Sequence, residues 1–177
     1  MLARQWQRAK AGEGRVVLVS GEPGIGKSRM SVALQEKIAD DLHMRLRFFC
    51  SPHHLDSTLY PFISQVQHAA GFNPEDSPET KLNKLEATLQ LSDPGSPETA
   101  GLFAQLMDLP AARYPLLTAD ARQRRQLTLT AFVRQLDGLA RHRPVIAVFE
   151  DAQRSDATSL ELLDMVIEKV TCCPCCC

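Results

Sequence analysis

Eight consecutive residues, Gly21-Glu22-Pro23-Gly24-Ile25-Gly26-Lys27-Ser28, have the types and spacing that hold a polyphosphate. Glycines let a loop wrap an anion with its N–H groups turned inward. A helix opening at Lys27 aims its unpaired N–H groups and the positive end of its dipole at the same point. Lys27 offers a cation to the β and γ oxygens, and Ser28 offers a hydroxyl to Mg²⁺. Arg29 follows directly and is counted with the binding stretch. The ligand this chemistry fits is ATP with Mg²⁺, provided that a strand precedes the loop and a helix follows it.

A second pair of residues can act on the same ligand. Glu150 and Asp151 close the apolar run Val145-Ile-Ala-Val-Phe149. A buried strand ending in two acids delivers carboxylates to the carboxyl edge of a parallel sheet, where open α/β sheets bind ligands. One acid can hold Mg²⁺ and the other can orient or deprotonate a water, so both are candidate metal and catalytic residues. Acids often follow strands, and the pair gains meaning only from the phosphate loop upstream.

The elements that must position these groups follow from hydrophobic pattern. Arg4 to Lys10 reads as a short helix. Arg15-Val-Val-Leu-Val-Ser20 is a continuous apolar run, as in a strand buried on both faces of a parallel sheet. Lys27 to Asp40 has helical spacing at Met30, Ala33, Leu34 and Ile38, and Met44 to Cys50 alternates like a strand nearer an edge. Helices follow from Pro61 to Ala70 and from Ser77-Pro78, the latter with Leu82, Leu85 and Leu89 as its stripe. Another opens at Ser96-Pro97, and a long one runs from a cap at Thr118 to about Arg141. Asp156 caps a last helix through Leu160, Leu163 and Ile167. The expected fold is α/β, a three-layer P-loop sandwich with a mainly parallel sheet.

Composition narrows the classes. The chain has 177 residues, 44% hydrophobic and 23% charged, with a formal net charge of -1. That is globular composition, with no basic field to favour nucleic acid. No apolar run is long enough to cross a bilayer, and the N-terminus lacks a signal peptide's apolar core, so the expected compartment is the cytoplasm. Five of six cysteines crowd into the last six residues, Cys172 to Cys177. They lack a second ligand pair for a metal, and residues 171–177 read as a tail outside a core of residues 1–170. His53-His54 near Asp56 read as part of a loop, because adjacent histidines without partners rarely converge on one ion. Arg122, Arg124 and Arg125 read as a solvated basic face rather than a phosphate sensor.

Four segments carry a family resemblance: Arg15 to Ser28, Phe48-Phe-Cys-Ser-Pro-His-His-Leu-Asp-Ser57, Leu59-Tyr-Pro-Phe-Ile63 and Val148-Phe-Glu-Asp-Ala-Gln153. They resemble the AAA-type ATPase domain of bacterial multidomain regulators, and more narrowly the signal-transducing (STAND) module that follows a class III adenylate/guanylate cyclase domain. The resemblance runs from about Leu2 to Val170. It implies an ATP-driven switch, with Lys27 and Ser28 as the Walker A pair and Glu150 and Asp151 as the Walker B acids. It also implies partners within a parent chain, a cyclase domain before and helical repeats after. Two departures stand out. Arg154 occupies a place where the family commonly has Trp, which on the family pattern would bury a guanidinium. The family's sensor strand, last strand and small helical domain would follow Val170, so the expected fold is C-terminally truncated. The competing readings are an inactive remnant that only packs or binds a partner, and a small-molecule kinase sharing the phosphate loop.

Overall fold

The computed structural model describes residues 1–50, 57–92, 97–115 and 118–172. Helix α1 (Leu2–Lys10) is followed by the phosphate loop, helix α2 (Lys27–Lys37) and strand β1 (Met44–Phe49). Four helices come next: α3 (Tyr60–Ala69), α4 (Pro78–Gln90), α5 (Pro97–Leu106) and α6 (Ala121–His142). Strand β2 (Val145–Glu150), a 3-10 turn (Ala152–Arg154) and α7 (Ala157–Cys172) complete the order.

Among the described residues the sheet has two strands, β1 and β2, paired in parallel with Phe48 opposite Phe149 and Phe49 opposite Glu150. Alternation sorts β1. Leu46 and Phe48 are buried while Arg45, Arg47 and Phe49 are exposed. Phe48 stacks on Phe149 with ring centres 4.2 Å apart, and Phe62 of α3 closes on both rings. Phe62 meets Phe132 of α6, which in turn meets Phe103 of α5 at 4.5 Å. Offset and tilted ring pairs of this kind add to the burial of large apolar area. The core built on them takes residues from β1, α3, α4, α5, α6 and α7, including the stripe Leu82, Leu85 and Leu89. The helices therefore pack against one face of the sheet.

Helix ends follow local chemistry. The Ser77 hydroxyl accepts the Thr80 N–H and opens α4 with Pro78 in its first turn. Asp156 accepts the N–H groups of Thr158 and Ser159, as expected for the cap of α7. The long helix differs: Asp120, not Thr118, is its cap, in a capping box with Gln123.

The largest difference lies in Val16–Ser20. This run is not a strand. Its backbone joins no strand among the described residues, and Val16, Val17, Leu18 and Val19 are 48, 38, 89 and 37% exposed. Among the described residues the expected three layers thus reduce to a two-stranded sheet with helices on one side, still an α/β arrangement. No residue from Met1 to His43 belongs to the main core, and α2 buries none of its residues, leaving Met30 and Val32 exposed. A strand is a pair interaction, and apolar composition alone does not supply the partner. The segment is held at its ends instead. The buried Trp6 of α1 donates its indole N–H to Asp41 at 2.6 Å, and Lys10 reaches the same carboxylate. These two donors hold the Asp41 carboxyl below its usual range. Gly14 lies so close to α7 that a Cβ there would fall 2.2 Å from the Val170 carbonyl oxygen. His53, His54, Asp56 and Ser96 lie outside the described residues, as do Cys173 to Cys177.

Gly138 of α6 gives a test of this packing. Ala has about 1 kcal/mol better helix propensity than Gly, yet a Cβ at this position would sit 1.8 Å from the Ser92 carbonyl oxygen. Gly138→Ala is expected to destabilise the fold by about 1–3 kcal/mol in urea unfolding, as overpacking does. Leu18→Gln is expected to change stability by less than about 0.5 kcal/mol in the same unfolding, because that side chain is already 89% exposed.

Candidate functional site

The phosphate loop folds as its glycines require. Gly24 and Gly26 have φ of 83° and 96°, and a Cβ on either would meet nothing within 4 Å. Glycine is needed there for backbone conformation, not for space. Gly26 is the residue before α2, which starts at Lys27 as expected. Among the described residues, no backbone carbonyl accepts from the N–H groups of Gly26, Lys27, Ser28 or Arg29. The first bond into the helix is Met30 N–H to the Gly26 carbonyl at 3.1 Å. Four donors at a helix start, facing an exposed loop, fit an anion such as the phosphate chain of ATP. The Lys27 ammonium donates to the carbonyls of Gly21 and Glu22 at 2.9 and 3.0 Å. It therefore lies across the loop mouth, between the two ends of the turn that a phosphate would enter. Gly21 to Ile25, Ser28 and Arg29 are exposed, with Pro23 at the tip and the Ile25 side chain in solvent.

The two acids stand where the strand delivers them. Glu150 ends β2 and Asp151 follows with φ of 55°, a left-handed conformation that Asp tolerates better than most residues. Asp151 is exposed and precedes the 3-10 turn, and the Gln153 amide reaches its Oδ1 at 3.4 Å. Arg154 is exposed at the end of that turn, so it requires no buried partner.

Glu150 carries an interaction that motif reading missed. One guanidinium nitrogen of Arg47, on β1, lies 3.0 and 3.2 Å from its two carboxylate oxygens. The same guanidinium lies over the Phe49 ring, 4.3 Å from its centre. The parallel register creates this pair, because Arg47 and Phe49 share the open face of the sheet with Glu150. The alternation of β1 already marked Arg47 as facing away from the core. Its partner depended on a register that no local pattern reveals.

Within each group the site residues are together, Gly21 to Arg29 round one loop and Glu150 with Asp151 at one strand end. Among the described residues, no hydrogen bond or ion pair joins the two groups. Cys50 adjoins the acids, its N–H donating to the Glu150 carbonyl at 3.2 Å. The Ser155 hydroxyl donates to its Sγ at 2.9 Å, and burial pushes the thiol pKa up.

Two outcomes follow. A double-mutant cycle on Arg47→Ala and Glu150→Gln in urea unfolding is expected to give a coupling of no more than about 1 kcal/mol, as for a pair still open to solvent. A larger value would mean that the pair is desolvated. Alkylation of Cys50 by iodoacetamide at pH 8, followed by peptide mapping, is expected to be at least about tenfold slower in the folded chain than in urea, since only the thiolate reacts. Equal rates would place the thiol in water.

Comparison with known proteins bears on these two groups. No solved structure matches the chain. A protein of Rhizobium meliloti (strain 1021), described as "Uncharacterized protein R02095", is 26% identical over 162 residues. That alignment takes in 92% of this chain and 16% of the relative, so the chain spans about a sixth of that protein's length. The sequence profile described as AAA ATPase domain matches residues 1–171, a span that includes both the glycine loop and the paired acids. The chain belongs to the AAA ATPase domain family.

Proposed function

We propose that the chain is the ATP-binding switch module of a larger bacterial signalling protein related to adenylate/guanylate cyclases, of the STAND type. The observation that carries the binding reading is the row of unpaired N–H groups from Gly26 to Arg29 behind a loop whose glycines have positive φ. Each residue then has a stated role. The loop from Gly21 to Arg29 surrounds the phosphates. Lys27 leaves the Gly21 and Glu22 carbonyls to meet phosphate oxygens, a charge-assisted exchange. Ser28 and one of the two acids, Glu150 or Asp151, would hold Mg²⁺, which when bound neutralises charge developing on the phosphates. Of the two acids, one binds metal and the other positions water, and Arg47 holds Glu150 at the strand end meanwhile.

Hydrolysis is proposed for the intact parent and not for these residues alone. The apolar Val16–Ser20 run is exposed and pairs with no strand among the described residues, and on this reading a strand outside the described residues completes the sheet between it and β2. That strand would also fix the separation of Lys27 from Asp151. The site is proposed to work in the cytoplasm. No helix among the described residues is long and apolar enough to cross a membrane. The alternatives remain an inactive remnant and a small-molecule kinase. A phosphorylation assay with candidate acceptors separates the kinase, and failure to bind ATP marks the remnant.

Titration with a fluorescent ATP analogue is expected to show weak binding by the chain and at least about tenfold weaker binding by Lys27→Ala, which deletes a charged hydrogen-bond donor. Equal affinities would sink the loop assignment. Glu150→Gln and Asp151→Asn are expected to leave binding largely intact and to lower Mg²⁺-dependent turnover in the parent. Turnover by the chain alone is expected to stay well below about one per second, the low end of ordinary enzymes.

A further inference from the structure

A concave site lies beside the start of α7. It is an open cleft of about 310 Å³ between the starts of α3, α6 and α7 and the end of α5. Its apolar lining comes from Leu59, Leu106, Ala121 and the buried Thr128, and its charge from Arg124 and Arg125. The size falls at the lower end of small-molecule sites, which combine an apolar wall with a few placed polar groups.

Three observations make this more than a gap between helices. Leu59, at the floor, is 2% exposed and has φ of 60°, which a branched, bulky side chain rarely adopts. Its N–H is held by Asp156 at 3.2 Å, so the unusual backbone is built in and not left over from a loop end. Strained backbone of this kind collects at ligand clamps. The second observation is charge. Arg125 is already matched by Glu161 and by the Thr158 hydroxyl. Arg124 has only the Ala119 carbonyl, at 3.3 Å, and no acidic partner among the described residues. The third is that the nearby acids Asp120 and Asp156, though still charged, bond donors other than Arg124. Asp120 accepts the Gln123 N–H, and Asp156 accepts three backbone N–H groups and the Ser159 hydroxyl.

We propose that this cleft binds a small organic monoanion, a carboxylate on a short apolar body. The apolar body lies on Leu59, Leu106 and Ala121, and the anion meets Arg124 first and Arg125 second. A bare inorganic anion would leave the apolar wall wet, and a neutral molecule of the same shape would leave the Arg124 charge unmatched. Guanidinium and carboxylate suit each other in geometry as well as charge. The site differs from the phosphate loop in residues and in ligand. Through Asp156, which bonds the cleft floor and starts α7, it adjoins the segment that carries Glu150 and Asp151.

The test is saturation-transfer NMR on the full 177-residue chain with butyrate and 1-butanol observed directly and inorganic phosphate read by its displacement of butyrate. Butyrate is expected to bind at least about tenfold more tightly than either of the others, an energy of the order of one charged hydrogen bond. Arg124→Gln is expected to remove that preference. Ala121→Leu, which fills the cleft without touching its charge, is expected to lose butyrate as well. Arg141→Gln, at the far end of α6 and paired with Asp137, is expected to bind butyrate as the parent does. Circular dichroism melts confirm that each variant is folded, and the two cleft variants act by different means. The proposal is overturned by equal binding of butyrate and butanol or by equal binding of butyrate and phosphate. It is also overturned by undiminished butyrate binding in Arg124→Gln or Ala121→Leu, by equal loss in Arg141→Gln, or by no butyrate binding at all. Capture of a glutamate-containing peptide without butyrate binding would replace it with a protein partner.

Discussion

Parallel pairing of β1 with β2 is the contact on which the described structure rests. It joins residues far apart in the chain; Arg47 and Glu150 are 103 positions apart and meet across it. A parallel pair needs a long crossover, and here α3 to α6 fill that crossover. The stacked Phe48 and Phe149 form the seam onto which Phe62, Phe132 and Phe103 pack. The same pairing sets Cys50 and Glu150 side by side at the carboxyl edge, where the chain's acids are delivered.

Carboxylates divide according to what they hold. Asp156, Asp120 and Asp41 are committed to backbone or side-chain donors that fix helix ends and the seat of α1. Glu150 and Asp151 are the two at the strand end with oxygens turned to the open face or to solvent. Arg47 restrains the first, and the second has a single long contact to Gln153. Restraint without full satisfaction is what a group needs if it is to exchange one partner for a ligand. Lys27 shows the same property, since its two carbonyl partners are weaker acceptors than a phosphate oxygen.

The phosphate loop and the acids therefore belong to different physical regimes. The acids stand on a strand backed by the main core. The loop stands between α1 and α2, which contribute nothing to that core and are tied down by Trp6 with Asp41 and by the close approach of Gly14 to α7. An element with few buried contacts opens at low cost in free energy. The loop and the acids are thus held by separate parts of this chain, with no described sheet contact between them.

Much of this was legible from local pattern. The glycine loop and helix start at Lys27, the stripe Leu82, Leu85 and Leu89 and the caps at Ser77 and Asp156 each depend on neighbours within a few residues, so the sequence alone determined them. Asp120 and not Thr118 caps α6 because Gln123 completes a capping box with it, which is still a local effect. Tertiary structure decided the rest. The partner of Glu150 depended on a strand register that alternation leaves open. The run Val16–Ser20 has the composition of a buried strand yet is exposed and pairs with no strand among the described residues. Hydrophobic pattern states which residues gain from burial, but a strand exists only when another backbone lies alongside to take its hydrogen bonds.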